Sequence, residues 1–246
     1  MIAILSPAKN MREVHWQGET QKPTFAGESA VLLGALRQMM PWELEALMKV
    51  SSSLGEKAHY AFAHMDLSEP GTPAIATYDG LVFKHFDADS LSPKAWEMAE
   101  ASLRILSGFY GVLRPQDGIM PYRLEMGTKL SVGEHKDLYA FWGRSLHDAL
   151  YSQSDTIINL ASEEYAKTIR RYLTPEEHFI DVEFKIIKAG KMQTITTYAK
   201  MARGRMARFI VENPGIEPED LKAFDALGFR YDTSHSTNQK IVFVQG

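Results

Sequence analysis

Residues 106–127, LSGFYGVLRPQDGIMPYRLEMG, bring two arginines and two carboxylates together with tyrosines, glycines and prolines, and no helical or strand period runs through them. Arg114 and Arg123 are planar donor forks that suit a phosphate or a carboxylate. Asp117, Tyr122 and Glu125 are of types that serve as general acids and bases, so the segment has the makings of an anion site with catalytic groups beside it. The same residues also fit a plainer reading, in which Asp117 and Glu125 pair with the arginines to brace an irregular loop. Glycines at 108, 111, 118 and 127 and prolines at 115 and 121 steer the backbone, and the apolar content is too high for disorder. An ordered, site-forming loop is expected.

A second source of positive charge lies downstream. Between Phe184 and Val211 the cations Lys185, Lys188, Lys191, Lys200, Arg203, Arg205 and Arg208 occur with no acidic residue, although the chain as a whole carries a formal charge of −4. On a helix over 198–212, Lys200, Arg203, Gly204, Ala207 and Arg208 share one face, opposite an apolar face of Tyr198, Ala202, Met206 and Phe209. Small residues among cations leave room for a ligand backbone; a merely solvated cationic face is the alternative. Lys9, after a first strand, is expected to line the same cleft. Ser6 and Lys9 have the S-x-x-K spacing of some acyl enzymes, but the companion motifs of those enzymes are missing. Asn159 and Ser162, at the end of a strand and the start of a helix, are expected near the carboxyl edge of a sheet, where ligands bind, or else as capping groups.

Several chemistries lack their residues. There is no cysteine, which excludes thiol peroxidase chemistry, disulfides and thiolate metal sites. The eight histidines form no H-x-x-x-H pair, and the single E-x-x-H, Glu56 to His59, is half of what a di-iron bundle needs, so no metal and no cofactor is expected. Neither a Walker loop nor a dinucleotide G-x-G-x-x-G occurs, and Gly108 to Gly111 is a bare GxxG.

The elements that must position these groups are of mixed α/β type. Residues 2–5 read as a buried strand, 29–40, 41–50 and 56–65 as helices, and 74–77 as a strand. Ser92-Pro93 opens a helix expected to run to Leu106, and 137–151 forms another. Residues 156–160 read as a strand leading into a helix capped at Ser162. Residues 182–188 with 192–197, and 228–231 with 241–244, read as hairpins. The order Leu44, Leu47, Met48, Val50, Leu54, Gly55, Lys57 and Ala58 resembles a helix-hairpin-helix with one of its two usual glycines, and fits an ordinary helical hairpin equally well.

The segment 106–127 resembles the signature of the YaaA family of peroxide-stress proteins, and other blocks agree in order: SPAK at 6–9, YDG at 78–80, DLYAFWG at 137–143, INLASEEY at 158–165 and YAKMARGRMARFI at 198–210. The resemblance spans nearly the whole chain. It implies an unusual α/β fold with a positively charged cleft and a helix-hairpin-helix element, in one domain over 1–246 with a helical sub-lobe at about 29–66. It further implies DNA binding and protection against oxidative damage through lowered intracellular iron. Under it, Lys9, Arg114, Arg123, Lys200, Arg203 and Arg208 contact phosphates, with Gly55 and Lys57 on the duplex backbone. Ser6, Tyr78, Trp142, Asn159 and Ser162 line the cleft, and Tyr78, Tyr122 or Trp142 stacks on a base. The alternative is an enzyme acting on a nucleobase or small phosphorylated metabolite through Asp117, Glu125 and Tyr122. With no basic leader before MIAILSPAK and no long apolar run, a cytoplasmic protein away from membranes is expected.

Overall fold

The computed structural model describes all 246 residues. A mixed sheet of eight strands is built from β1 (Ile2–Leu5), β2 (Leu103–Ser107), β3 (Gly111–Leu113), β4 (Thr156–Asn159), β5 (His178–Lys188), β6 (Lys191–Gln193), β7 (Arg230–Tyr231) and β8 (Lys240–Gln245). Its spatial order is β7-β8-β5-β4-β1-β2-β3, with β6 paired to β5. The pairs β1–β2, β1–β4, β4–β5 and β5–β8 are parallel; hairpins close both ends. Every residue of β1 and β2 is buried, including the shielded Arg104, as befits central strands covered on both faces.

Around the sheet lie α1 (Ala26–Arg37), α2 (Pro41–Met48), α3 (Ser52–His64), α4 (Leu81–Phe86), α5 (Pro93–Ser102), α6 (Leu138–Trp142), α7 (Ser145–Tyr151), α8 (Glu163–Arg170) and α9 (Thr196–Glu212). One hydrophobic cluster joins the sheet to these helices, from Ile4 and Leu5 through Leu32, Phe62 and Phe109 to Met206 and Phe243. No helix is long and apolar enough to cross a membrane.

Three sequence expectations need correction. Ala74–Thr77 is a helical turn, in which Thr77 Oγ1 donates to the Pro73 carbonyl at 2.8 Å. All four residues are buried, and a short apolar run that is buried all round carries no period to separate strand from helix. The helix opened by Ser92 and Pro93 ends at Ser102, and Leu103–Ser107 is the strand β2 beside β1. Leu103, Ile105 and Leu106 extend the helical pattern on paper, but parallel pairing with β1 satisfies the backbone of this segment instead. Residues 137–151 form two helices because Gly143, at φ 49°, breaks the run between Trp142 and Ser145.

The helical hairpin of α2 and α3 is present, but its turn is made by Lys49 in a left-handed conformation, at φ 54°. Gly55 lies inside α3, where a Cβ would stand 2.8 Å from the Pro41 carbonyl oxygen. It allows two helices to touch rather than presenting turn amides.

On α9 the small residues also face protein. A Cβ on Gly204 would collide with the Val82 carbonyl oxygen, and Ala207 is fully buried. The room they leave is filled by α4, not left open for a ligand. Tyr198, expected on the apolar face, is exposed.

Candidate functional site

The connection leaving β1 leads to β2 on one side, and the connection leaving β4 leads to β5 on the other. The chain therefore parts between β1 and β4, and in open parallel sheets such a switch point opens a crevice beyond the carboxyl ends of the strands. A cavity of about 470 Å³ occupies that place. Its floor is Ser6 to Asn10 after β1 and Leu160 and Ser162 after β4; its walls are Tyr122 to Glu125, the turn at Asp79 and Gly80 leading into α4, Glu164 and Tyr165 of α8, and Thr196, Lys200 and Arg203 of α9.

The floor is tied down from below. Ser6 Oγ accepts the Ser162 amide at 2.8 Å and donates to Ser162 Oγ at 3.2 Å, joining the two strand ends. Asn159 does not line the cavity; its Oδ1 accepts the Ala161 amide at 2.9 Å and its Nδ2 donates to Asp181 at 2.7 Å. Asp181 is held in turn by both terminal nitrogens of Arg170, at 2.7 and 3.0 Å. Asn159 thus sets the path of the loop that carries Ser162.

Among the proposed acid–base groups, Glu125 and Tyr122 reach the cavity and Asp117 does not. Glu125 pairs with Lys9 at 2.8 Å. The Tyr122 ring lines the wall, while its hydroxyl is 2.7 Å from the Tyr78 hydroxyl and 2.6 Å from Ser107 Oγ. Burial pushes the Tyr122 phenol up to about 12, so it is protonated at neutral pH. Tyr78 is buried beneath it rather than offered for stacking. Asp117 is fully buried elsewhere: it accepts the Arg114 amide at 2.8 Å and Arg114 Nε at 2.9 Å. Burial pushes its carboxyl up to about 6 against the pull of Arg114.

The arginines divide sharply. Arg114 is held by Asp117 and by the Lys22 carbonyl at 3.1 Å. Arg208 donates to Glu212 at 2.6 Å, to the carbonyls of Phe86 and Asp87 at 3.1 and 2.7 Å, and to Ser90 Oγ at 2.7 Å. Neither lines the cavity. Arg123 and Arg203 do, and both have an Nε shut off from solvent with no acceptor in the protein. The closest carboxylate oxygen to Arg123 belongs to Glu125, at 3.9 Å. Arg203 forms no ion pair, and burial lowers its pKa despite the fields of Asp181 and Glu183.

Of the remaining sequence-named residues, Trp142 is buried with its Nε1 donating to the Gly108 carbonyl at 3.0 Å. Gly55 and Lys57 belong to the α2–α3 hairpin, where Lys57 lines a separate groove with His59, Tyr60 and His64. The structure adds Asp79, Glu164 and Tyr165 to the site. Their blocks, YDG and INLASEEY, were visible in sequence, but nothing there says that Glu164 Oε1 accepts the Gly127 amide at 2.7 Å, fastening α8 to the signature segment. No three His, Cys, Asp or Glu side chains come together as a metal-binding group.

Fold and cavity define an α/β protein with a cationic crevice at the switch point in the parallel centre of a mixed sheet. The chain belongs to the family described as peroxide stress protein YaaA, which it matches over residues 1–235. It is similar to a UPF0246 protein of Lactiplantibacillus plantarum, 40% identical over 246 residues and covering 99% of each chain. A UPF0246 protein of Agathobacter rectalis is 39% identical over 99% of this chain and 98% of its own, and one of Clostridioides difficile is 36% identical over the full length of both.

Proposed function

We propose that this peroxide-stress family member binds DNA through the switch-point cavity, with Lys9, Arg123, Lys200 and Arg203 as the phosphate-facing groups. The observation that carries the reading is the pair of cavity arginines without an acceptor. A half-buried guanidinium whose Nε is sealed from water and donates to no oxygen in its own protein is held at an energetic disadvantage, and an incoming phosphate relieves it. Lys200, exposed at the mouth, adds a third cation with no ion pair of its own. Arg114 and Arg208, already satisfied by protein oxygens, are left out of the contact set.

The test is fluorescence anisotropy with a labelled duplex over a series of salt concentrations. Replacing Lys200 or Arg203 by Gln weakens binding by about tenfold and lowers the salt slope by about one per contact removed. Unchanged affinity in both variants would reject the cavity as the contact surface. In the cell, the same reading has protection against peroxide follow from a lower pool of available iron. Chelatable iron measured in cells carrying the wild type and the Arg203→Gln variant checks that link; equal iron in both breaks it.

A further inference from the structure

We infer that the cavity recognises the end of a nucleic-acid strand, taking a terminal phosphate monoester rather than the diester of a continuous backbone. The inference rests on the DNA-binding reading and narrows it. Three observations carry it: the charge pattern of the lining, the shape of the cavity, and the state of its hydroxyl groups.

The cations do not form a track. Lys9, Arg123, Lys200 and Arg203 share the lining with Asp79, Glu125 and Glu164. A strand threaded through would bring successive phosphates up to those carboxylates; Glu125 is paired with Lys9 and Asp79 with Lys84 at 3.1 Å, but Glu164 has no ion pair, and like charges at close range repel. A single terminal nucleotide avoids this conflict. Its phosphate lies on the cations, and its sugar hydroxyls or base amine donate to the carboxylates, which only accept.

Charge count points the same way. A monoester phosphate carries roughly −1.5 to −2 at neutral pH and presents three acceptor oxygens, whereas a diester carries a single charge. Lys200 and Arg203 have no ion pair and Arg123 only the 3.9 Å approach of Glu125, whose closer partner is Lys9 at 2.8 Å; the Nε atoms of both arginines have no acceptor. The more highly charged terminus is the better partner for two unpaired cations and a third that is only weakly paired.

Shape agrees as well. About 470 Å³ is the size of a small-molecule pocket, and its floor is closed by the joined ends of β1 and β4. At that floor Ser162 Oγ accepts from Ser6, which leaves its own hydrogen available to a ligand oxygen.

The experiment compares internally labelled 12-mers bearing a 5′-phosphate, a 3′-phosphate or hydroxyls at both ends, with deoxyadenosine monophosphate and deoxyadenosine as competitors. The full chain and its Arg203→Gln and Lys200→Gln variants are titrated against each. Lys200 is exposed, so its variant folds even if loss of Arg203 perturbs the protein. A phosphorylated end is expected to bind about tenfold or more tightly than a hydroxyl end, with the preference collapsing in both variants. Equal affinity for all three strands overturns the inference while leaving DNA binding in place. If no strand binds, the DNA reading fails and the competitors decide: monophosphate binding that Arg203→Gln abolishes, with deoxyadenosine inert, upholds a monoester site, and no binding of either removes it.

Discussion

Arg114 and Arg203 are the same residue type in two environments, one at the outer turn of the signature segment and the other at the wall of the switch-point cavity. Arg114 pairs with a fully buried carboxylate and a backbone carbonyl. Arg203 reaches no oxygen at all through its sealed Nε. Position in a basic stretch says nothing about which is available to a ligand. Availability depends on whether neighbouring elements supply oxygens, and that is a property of the fold. Arg208 and Arg203 make the point within one helix, since they lie five residues apart on α9 and only Arg208 meets the carbonyls of Phe86 and Asp87 at the end of α4.

The comparison breaks most severely if Asp117 is not the anchor of the outer turn. Replacing Asp117 by Ala leaves the Arg114 amide without its acceptor and the guanidinium with only the Lys22 carbonyl, and is expected to destabilise the fold by about 2–4 kcal/mol, read from chemical denaturation. The sign of its pH dependence is also fixed. A carboxyl held up at about 6 in the folded state, against about 3.9 unfolded, retains its proton longer when folded. Its contribution to stability is present below pH 4 and lost as pH rises to 6. Asp117→Asn should flatten that part of the stability profile; a profile unchanged by the substitution would show that another group governs it.

Next in size is the seat of α9 on α4. Gly204→Ala places a Cβ against the Val82 carbonyl, and the required shift is expected to cost about 1–3 kcal/mol. If the variant melts like the wild type, the two helices are looser than their contact implies and Arg203 is not rigidly aimed. Arg208→Met, which removes several charged hydrogen bonds, should cost about 1–3 kcal/mol while leaving DNA affinity within twofold. A large loss of affinity with intact stability would move Arg208 into the contact set and dissolve the contrast with Arg203.

Much of this frame is legible in the sequence. The strand 2–5, most of the strand read at 156–160, the helix read at 198–212 and the N-cap position of Ser162 follow from apolar period and turn chemistry, whereas the second arm of the hairpin read at 192–197 stops at Gln193 and its last two residues open α9. What sequence could not supply was partnership. The helical face of Lys200, Arg203, Gly204, Ala207 and Arg208 is real as geometry, yet half of it is a packing surface because α4, distant in the chain, lies on Gly204. Asp117 and Glu125 look equivalent on paper, and only tertiary structure separates a buried brace from a cavity carboxylate. The reading of 74–77 failed for a related reason: burial on all sides erases the alternation by which strand is told from helix.

The smallest expected change in stability is the most informative. Arg203→Met substitutes an apolar side chain of similar length for a guanidinium that burial disfavours and no hydrogen bond repays. Removing a structural arginine destabilises; removing one kept for a ligand does not. Stability is therefore expected to stay within about 1 kcal/mol of wild type or to rise, while affinity for DNA falls by about tenfold. Thermal melts and anisotropy on the same preparation give both numbers. A drop in stability beyond about 2 kcal/mol would mean that Arg203 braces the packing of α9 against β5, as Arg208 braces it against α4. The two arginines would then belong to one class, and the cavity would lose the group that most clearly awaits a partner.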